Sequence, residues 1–227
     1  MKTPGTGVRR TGAQMSSVNE ESARRPRGRP RAFDRDAALR RAMEVFWEKG
    51  FDRTSVNDLA DAMGINSPSL YAAFGGKEDL FREALGLYGT AEGAIVRRAL
   101  EENAGGREAI AAMFRRNIEL FTRPGRPRGC MLILGTIQVG GEHEALRAML
   151  RKGRQGLISM IRKRLLKAVE DGQLARSVDT EALAALCVTV LCGISVQAHD
   201  GASRASLYSA IDAFVAALPF REPTRGS

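Results

Sequence analysis

The run Thr54-Ser55-Val56-Asn57-Asp58-Leu59-Ala60-Asp61-Ala62-Met63-Gly64-Ile65-Asn66-Ser67-Pro68-Ser69-Leu70-Tyr71-Ala72-Ala73-Phe74-Gly75-Gly76-Lys77 decides the fold. Ser55 and Asp58 form an S-x-x-D capping box, which opens a helix by satisfying its orphan N–H groups. Val56, Leu59, Ala60 and Met63 give that helix one apolar face, and Gly64 breaks it. A second helix begins around Asn66-Ser67-Pro68-Ser69, where proline's fixed φ and missing N–H suit a first turn. It carries Leu70, Tyr71 and Phe74 before Gly75-Gly76 ends it. Two short helices joined by a tight glycine-containing turn make a helix-turn-helix layout.

Upstream, Asp34 is placed as an N-cap and Ala38, Leu39, Ala42, Met43, Phe46 and Trp47 recur at helical spacing until Gly50. This adds a third, longer helix beneath the pair. The chemistry suits a DNA groove. Asn66, Ser67 and Ser69 are small and polar enough to approach base edges, while Ile65, Leu70 and Phe74 anchor the helix from behind. N–H groups at the two helix starts, near Ser55 and Ser67, are expected to hold phosphates without any lysine.

Charge sharpens this expectation. The chain of 227 residues has a formal net charge of +9. Residues 33–85 nevertheless hold seven Lys/Arg against ten Asp/Glu, so phosphate contacts fall to helix starts, Lys77 and the flanking arm. Residues 1–32 hold eight Lys/Arg against two Glu and almost no large apolar side chain, the composition of a disordered arm. The arm ends Arg24-Arg25-Pro26-Arg27-Gly28-Arg29-Pro30-Arg31. Its Arg-Gly-Arg-Pro core is similar to an AT-hook, with Arg27, Arg29 and Arg31 suited to a narrow minor groove.

Beyond residue 77 the periodicity stays helical and no strand alternation occurs. Helices are expected over 77–102, 107–122, 143–170, 179–197 and 203–218, with an apolar stretch from Cys130 to Val139 and a two-proline loop before it. In the 143–170 helix, Leu146, Met149, Leu150, Leu157, Met160, Ile161, Leu165 and Leu166 are expected inward, and the runs 151–154 and 162–164 read as a solvated basic face. The 179–197 helix is apolar round most of its circumference and so needs burial on several sides, by a partner subunit or by the core. The apolar run 182–196 falls short of the roughly 18–20 residues a membrane span needs, and no membrane association is expected. No secretory signal opens the chain, and the expected location is the cytoplasm.

The first 53 residues of ordered sequence, 33–85, closely resemble the N-terminal domain of the TetR/AcrR family of transcriptional regulators. The resemblance is carried by Ala42, Gly50, Phe51, Thr54, Ser55, Leu59, Ala60, Gly64, Ile65, Leu70, Tyr71, Phe74, Lys77 and Leu80. It implies an all-α fold: a three-helix DNA-binding domain (33–85) followed by a larger helical ligand-binding and dimerisation domain (86–220), with the arm (1–32) before and a short tail (221–227) after. It further implies that Ser55, Asn57, Ser67, Pro68, Ser69, Tyr71 and Lys77 face operator DNA, Tyr71 and Lys77 holding phosphates while Ser67, Ser69 and Asn66 meet bases. Ala72 and Ala73 stand where some relatives have larger side chains, and alanine offers only apolar contact to a thymine methyl.

The function expected is a homodimeric repressor on palindromic double-stranded DNA, released by a small-molecule inducer. The alternative is an architectural minor-groove binder without ligand response. Met113, Phe114, Phe121, Met131, Met149 and Met160 are candidates to line an inducer pocket, being adaptable side chains, although each also suits plain core. Cys130 is added to them. It follows Arg126 and Arg128 and starts a helix, features that would favour a reactive thiolate and an electrophile as inducer. Cys187 and Cys192 read as small hydrophobes. With two histidines, no HExxH, GxSxG, P-loop or CxxC pattern, neither catalysis, metal nor cofactor is expected.

Overall fold

The computed structural model describes residues 33–221, so the arm with Arg27, Arg29 and Arg31 and the tail after Arg221 lie outside the described residues. Nine helices occur among them: α1 (Arg35–Lys49), α2 (Val56–Met63), α3 (Ser67–Phe74), α4 (Lys77–Glu102), α5 (Gly106–Phe121), α6 (Met131–Gln138), α7 (Glu144–Glu170), α8 (Thr180–His199) and α9 (Arg204–Ala216). Strands are absent among the described residues, apart from an isolated bridge between Leu174 and Phe220.

Local chemistry sets the helix ends. Asp34 accepts from the N–H groups of Asp36 and Ala37, each at 3.0 Å. The capping box at α2 is complete, and Gly64 closes that helix in the left-handed region at φ 69°. Asn66 caps α3 by accepting from Ser69 N–H at 2.9 Å. Asp179 and Ser203 do the same for α8 and α9.

Helix α1 lies on α2 and α4, and an aromatic cluster of Phe46, Phe51 and Phe81 fills the space between, Phe81 standing edge-on to each of the others at 5.1 Å. Burying such rings contributes several kcal/mol in all, at roughly 25 cal/mol per Å² of apolar area. The long helix α4 runs from this cluster along α5, α7 lies along α8, and α9 closes over α5. Arg107 at the start of α5 donates to the carbonyls of Val215 and Phe220, fastening the last described residues to the bundle.

Three expectations for α7 and α8 are corrected. Leu166 is exposed rather than inward. Arg164 belongs to no solvated face: it is 7% exposed and donates to the carbonyls of Asn103 (3.1 Å) and Ala104 (2.8 Å), satisfying acceptors where α4 ends. Helix α8 has 20 residues with a hydropathy of 1.8, long and apolar enough by length and composition to cross a membrane, contrary to the reading of the 182–196 run. Here one face of α8 (Leu183, Ala184, Cys187, Val188, Leu191, Ile194) is buried against α5, α6, α7 and α9. The opposite stripe, Ala182, Leu186, Thr189, Gly193 and Val196, is exposed.

Candidate functional site

Helices α2 and α3 are joined by Gly64, Ile65 and Asn66, and α3 is held from below by Leu70 and Phe74. Arg35, which sequence reasoning missed, braces it from the side. Its guanidinium lies 4.3 Å over the Phe74 ring, donates to Ala73 O at 3.2 Å and pairs with Glu83 at 2.8 Å, so one side chain ties α1, α3 and α4 together. Arg41 donates to Met63 O at the end of α2.

The outward face carries the expected residues. Ser67 Oγ reaches Asn57 Oδ1 at 3.4 Å, bringing the two helix starts together. Pro68 is exposed, Ser67 and Ser69 are half-buried, and Tyr71 is 52% exposed. The Tyr71 ring lies beside Gly76, adjacent to Lys77. The Lys77 ammonium is folded 4.3 Å over the Phe51 ring, and partial burial lowers its pKa, with Asp52 opposing the shift.

Capping takes up part of the backbone donors at the two helix starts. Asp58 accepts from both the N–H (2.8 Å) and hydroxyl (2.6 Å) of Ser55, and Ser55 Oγ accepts from Asp58 N–H. Lys49, 2.7 Å from Asp58, together with these bonds holds the Asp58 carboxyl well below the usual carboxylate range. The capping carboxylate thus occupies part of the anion site at α2 and leaves the N–H groups of Val56 and Asn57. At α3, Pro68 has no N–H and Asn66 takes that of Ser69, leaving Ser67. Capping therefore takes the N–H groups of Asp58 and Ser69 and leaves those of Val56, Asn57 and Ser67 at the two helix starts.

Behind this surface lies a cavity of about 340 Å³ between α4, α5, α6, α7 and α8, bordered by Tyr88, Glu92, Val96, Asn117, Cys130, Met149, Leu157 and Met160. Of the expected pocket residues, Cys130, Met149 and Met160 border it. Met113, Phe114, Phe121 and Met131 do not; they are fully buried in the packed core, where neighbouring helices leave them no free face. Tyr88, Glu92 and Asn117 were missed. A local signal existed in Gly86, Gly89 and Gly93, spaced three and four apart along one face of α4.

Cys130 also departs from expectation. Arg126 pairs with Glu44 at 2.5 Å, and Arg128 donates to the carbonyls of Ala198 and Ala202. Both cations are engaged elsewhere. Burial raises the Cys130 thiol pKa; the Tyr88 hydroxyl, donating to Sγ at 3.3 Å, offsets part of this. An activated thiolate is therefore overturned. Cys187 is pushed up to about 12 by burial, in keeping with a small hydrophobe.

Helix α1 of the head touches residues at and beside the cavity. Trp47 of α1 stands edge-on to Tyr88 at 5.0 Å and donates to Gly129 O at 3.2 Å, directly before Cys130. Phe51 meets the His143 ring at 4.7 Å, and His143 Nδ1 lies 2.9 Å from Glu78.

A capped helix-turn-helix on a helical body with a partly open cavity is the layout of a DNA-binding regulator. Comparison with known proteins fixes the family. Sequence models for "Bacterial regulatory proteins, tetR family" and "Tetracyclin repressor-like, C-terminal domain" match residues 38–84 and 106–214. The HTH-type transcriptional repressor ComR of Escherichia coli (strain K12) is 31% identical over 190 residues, covering 83% of this chain and 90% of ComR. The HTH-type regulator YezE of Bacillus subtilis (strain 168) is 35% identical over 159 residues, covering 69% of this chain and 81% of YezE. A cysteine-substituted form of the regulator CifR, solved with a 26-bp double-strand operator DNA, superposes with a TM-score of 0.81 at 43% identity, covering 85% of this chain and all of CifR. The chain belongs to the TetR family of transcriptional regulators and is a DNA-binding regulator.

Proposed function

We propose that the chain is a homodimeric repressor that grips a palindromic operator and lets go when a small molecule fills the cavity. The observation carrying this reading is the Trp47 contact: one side chain belongs to α1, under the DNA-facing helices, touches the cavity wall at Tyr88 and donates to Gly129, the chain neighbour of the wall residue Cys130. A ligand acts only through different affinity for the gripping and released shapes, and a shared rigid contact is where such a difference reaches the head. We assign residues 33–85 to the reading head, 86–220 to the regulatory and dimerising part, 1–32 to a basic arm and 221–227 to a tail, in a cytoplasmic protein.

In this reading Ser67, Ser69 and the amide of Asn66 meet bases, Tyr71 and Lys77 hold phosphates, and Ser55, Asn57 and Pro68 line the contact. Arg27, Arg29 and Arg31 follow the minor groove. The exposed α8 stripe (Ala182, Leu186, Thr189, Gly193, Val196), with Ala210 and Ala213 of α9 and Ala217 at its end, offers small and apolar side chains for pairing with a second copy. Pairing sets two α3 helices about one DNA turn, roughly 34–36 Å, apart.

Selection of bound sequences from random DNA, with light scattering of the complex, tests this reading. A two-fold symmetric site bound by two chains is expected, preferred over random DNA by about 10³-fold or more. Uniform binding to random DNA would replace it with the architectural role. Deleting residues 1–31 should lower the salt dependence by roughly 0.9 per lost phosphate contact.

A further inference from the structure

We propose that the ligand of this cavity is a lipophilic cation, a protonated amine on a hydrocarbon body, with its charged head at Glu92. The inference rests on the reading of the cavity as the inducer site. Glu92 Oε2 is buried and has no hydrogen-bond partner, and a buried carboxylate oxygen without a donor is costly unless something bound supplies one. The groups round it are already committed. The Tyr88 hydroxyl donates to Cys130 Sγ, and the Asn117 amide donates to Met113 O at 2.8 Å, so its side-chain oxygen is a second acceptor on the cavity side. Arg97 also borders the cavity, but it is exposed and forms no ion pair with Glu92. The Glu92 oxygen is therefore left without a donor, and the one cation on the border, Arg97, is turned to solvent without pairing with it.

The remainder of the wall is mostly apolar, and the cavity opens to solvent at Gly89 and Gly156, which are exposed, while Gly93 is half-buried. At Gly89 and Gly93 of α4 and Gly156 of α7 an added Cβ would meet nothing within 4 Å. Packing does not require these glycines, and each weakens its helix relative to alanine. Gly153 is different: a Cβ there would strike Leu132 at 2.6 Å, so close packing accounts for it. What Gly89, Gly93 and Gly156 leave is bare helix backbone, against which a hydrocarbon body lies flat, with Met149, Leu157 and Met160 adapting to its outline. At about 340 Å³ the space is at the small end of the roughly 300–1,000 Å³ usual for small-molecule sites.

The chain's single tryptophan, Trp47, touches Tyr88 and reports occupancy by its fluorescence. Octylammonium, octanol and octanoate, below their micelle-forming concentrations, are titrated against the full-length protein. Octylammonium is expected to bind at least about 10-fold tighter than octanol, with octanoate weakest. Glu92→Gln, which keeps shape and removes charge, should bring octylammonium and octanol within about 3-fold of each other. Gly93→Leu, which fills the cavity, should abolish binding of all three. Equal or better binding of octanol or octanoate by the unaltered protein, or a preference surviving Glu92→Gln, overturns the cation assignment; loss of binding in Gly93→Leu would then still uphold the cavity as the site. Binding that persists in Gly93→Leu, or no binding of any probe, overturns both.

Discussion

The outer surface of the helix-turn-helix and the cavity behind it are built on opposite terms. At the starts of α2 and α3 most polar groups are satisfied within the chain: Ser55 with Asp58, Asp58 with Lys49, Asn66 with Ser69, Ser67 with Asn57. The cavity instead has glycines where side chains would fit and a carboxylate oxygen without a donor. A surface that must match a fixed duplex gains from parts that arrive already oriented. A pocket that must change the state of the molecule gains from being incomplete until filled, and motions linked to ligands are drawn from such less stable regions.

The comparison breaks most severely if the head is not a rigid unit. Leu70 is fully buried beneath α3, so Leu70→Ala should cost about 2–5 kcal/mol of unfolding free energy, measured by urea titration, and remove DNA binding with it. Tyr71, on the other side of the same helix, is half exposed. Tyr71→Ala should weaken operator binding about 10- to 100-fold by fluorescence anisotropy, as expected for losing a hydrogen bond to a charged phosphate. Its unfolding midpoint should stay unchanged. Equal effects of the two substitutions on stability would mean that α3 is not divided into an anchoring and a reading face.

The same contrast explains what was legible in the sequence. Helix ends at Asp34, Ser55, Gly64, Asn66 and Gly75 follow from interactions over two to four residues, so a local reading finds them. The cavity depends on how α4 lies against α7, which the glycine spacing of α4 hints at but does not fix, and adaptable residues such as Met113 and Phe114 prove to be core. Chain neighbours also mislead. Arg126 and Arg128 precede Cys130 but spend their charge on Glu44 and on carbonyls at the end of α8 and just beyond it. Arg164 sits in a basic run yet is drawn inward by carbonyls some 60 residues away.

Glycine substitutions sharpen the comparison at the scale of about 1 kcal/mol. Gly50, in the head, has φ 78°, and a Cβ there would lie 2.8 Å from Gln138 Cβ. Gly50→Ala should therefore lower stability by more than about 1 kcal/mol, since backbone strain and a close contact act together. Gly89→Ala in the cavity wall should raise it by roughly 0.5–1 kcal/mol, because the helix gains propensity and the new methyl group meets open space. Opposite shifts in melting temperature are expected. A destabilising Gly89→Ala would show that α4 needs flexibility there rather than room.

The smallest effect concerns pH. Asp58 is held below its ordinary range by the Lys49 ammonium first and by the Ser55 hydroxyl and N–H next. A carboxyl whose folded pKa is depressed contributes stability that is fully present above its unfolded value, about 3.9, and is lost as pH falls through the folded value. Acidification below about pH 4 should thus loosen the start of α2 while the uncharged Trp47–Gly129 contact persists. Asp58→Asn should flatten this part of the curve, because the amide can neither pair with Lys49 as an ion nor titrate. Since Asp58 is solvent-facing and its pairing is screened, raising the salt concentration should shrink the difference between the two proteins. A difference that grows with salt would mean that Asp58 acts through the geometry of the capping box alone, and the head would then owe its order to hydrogen bonds without help from charge.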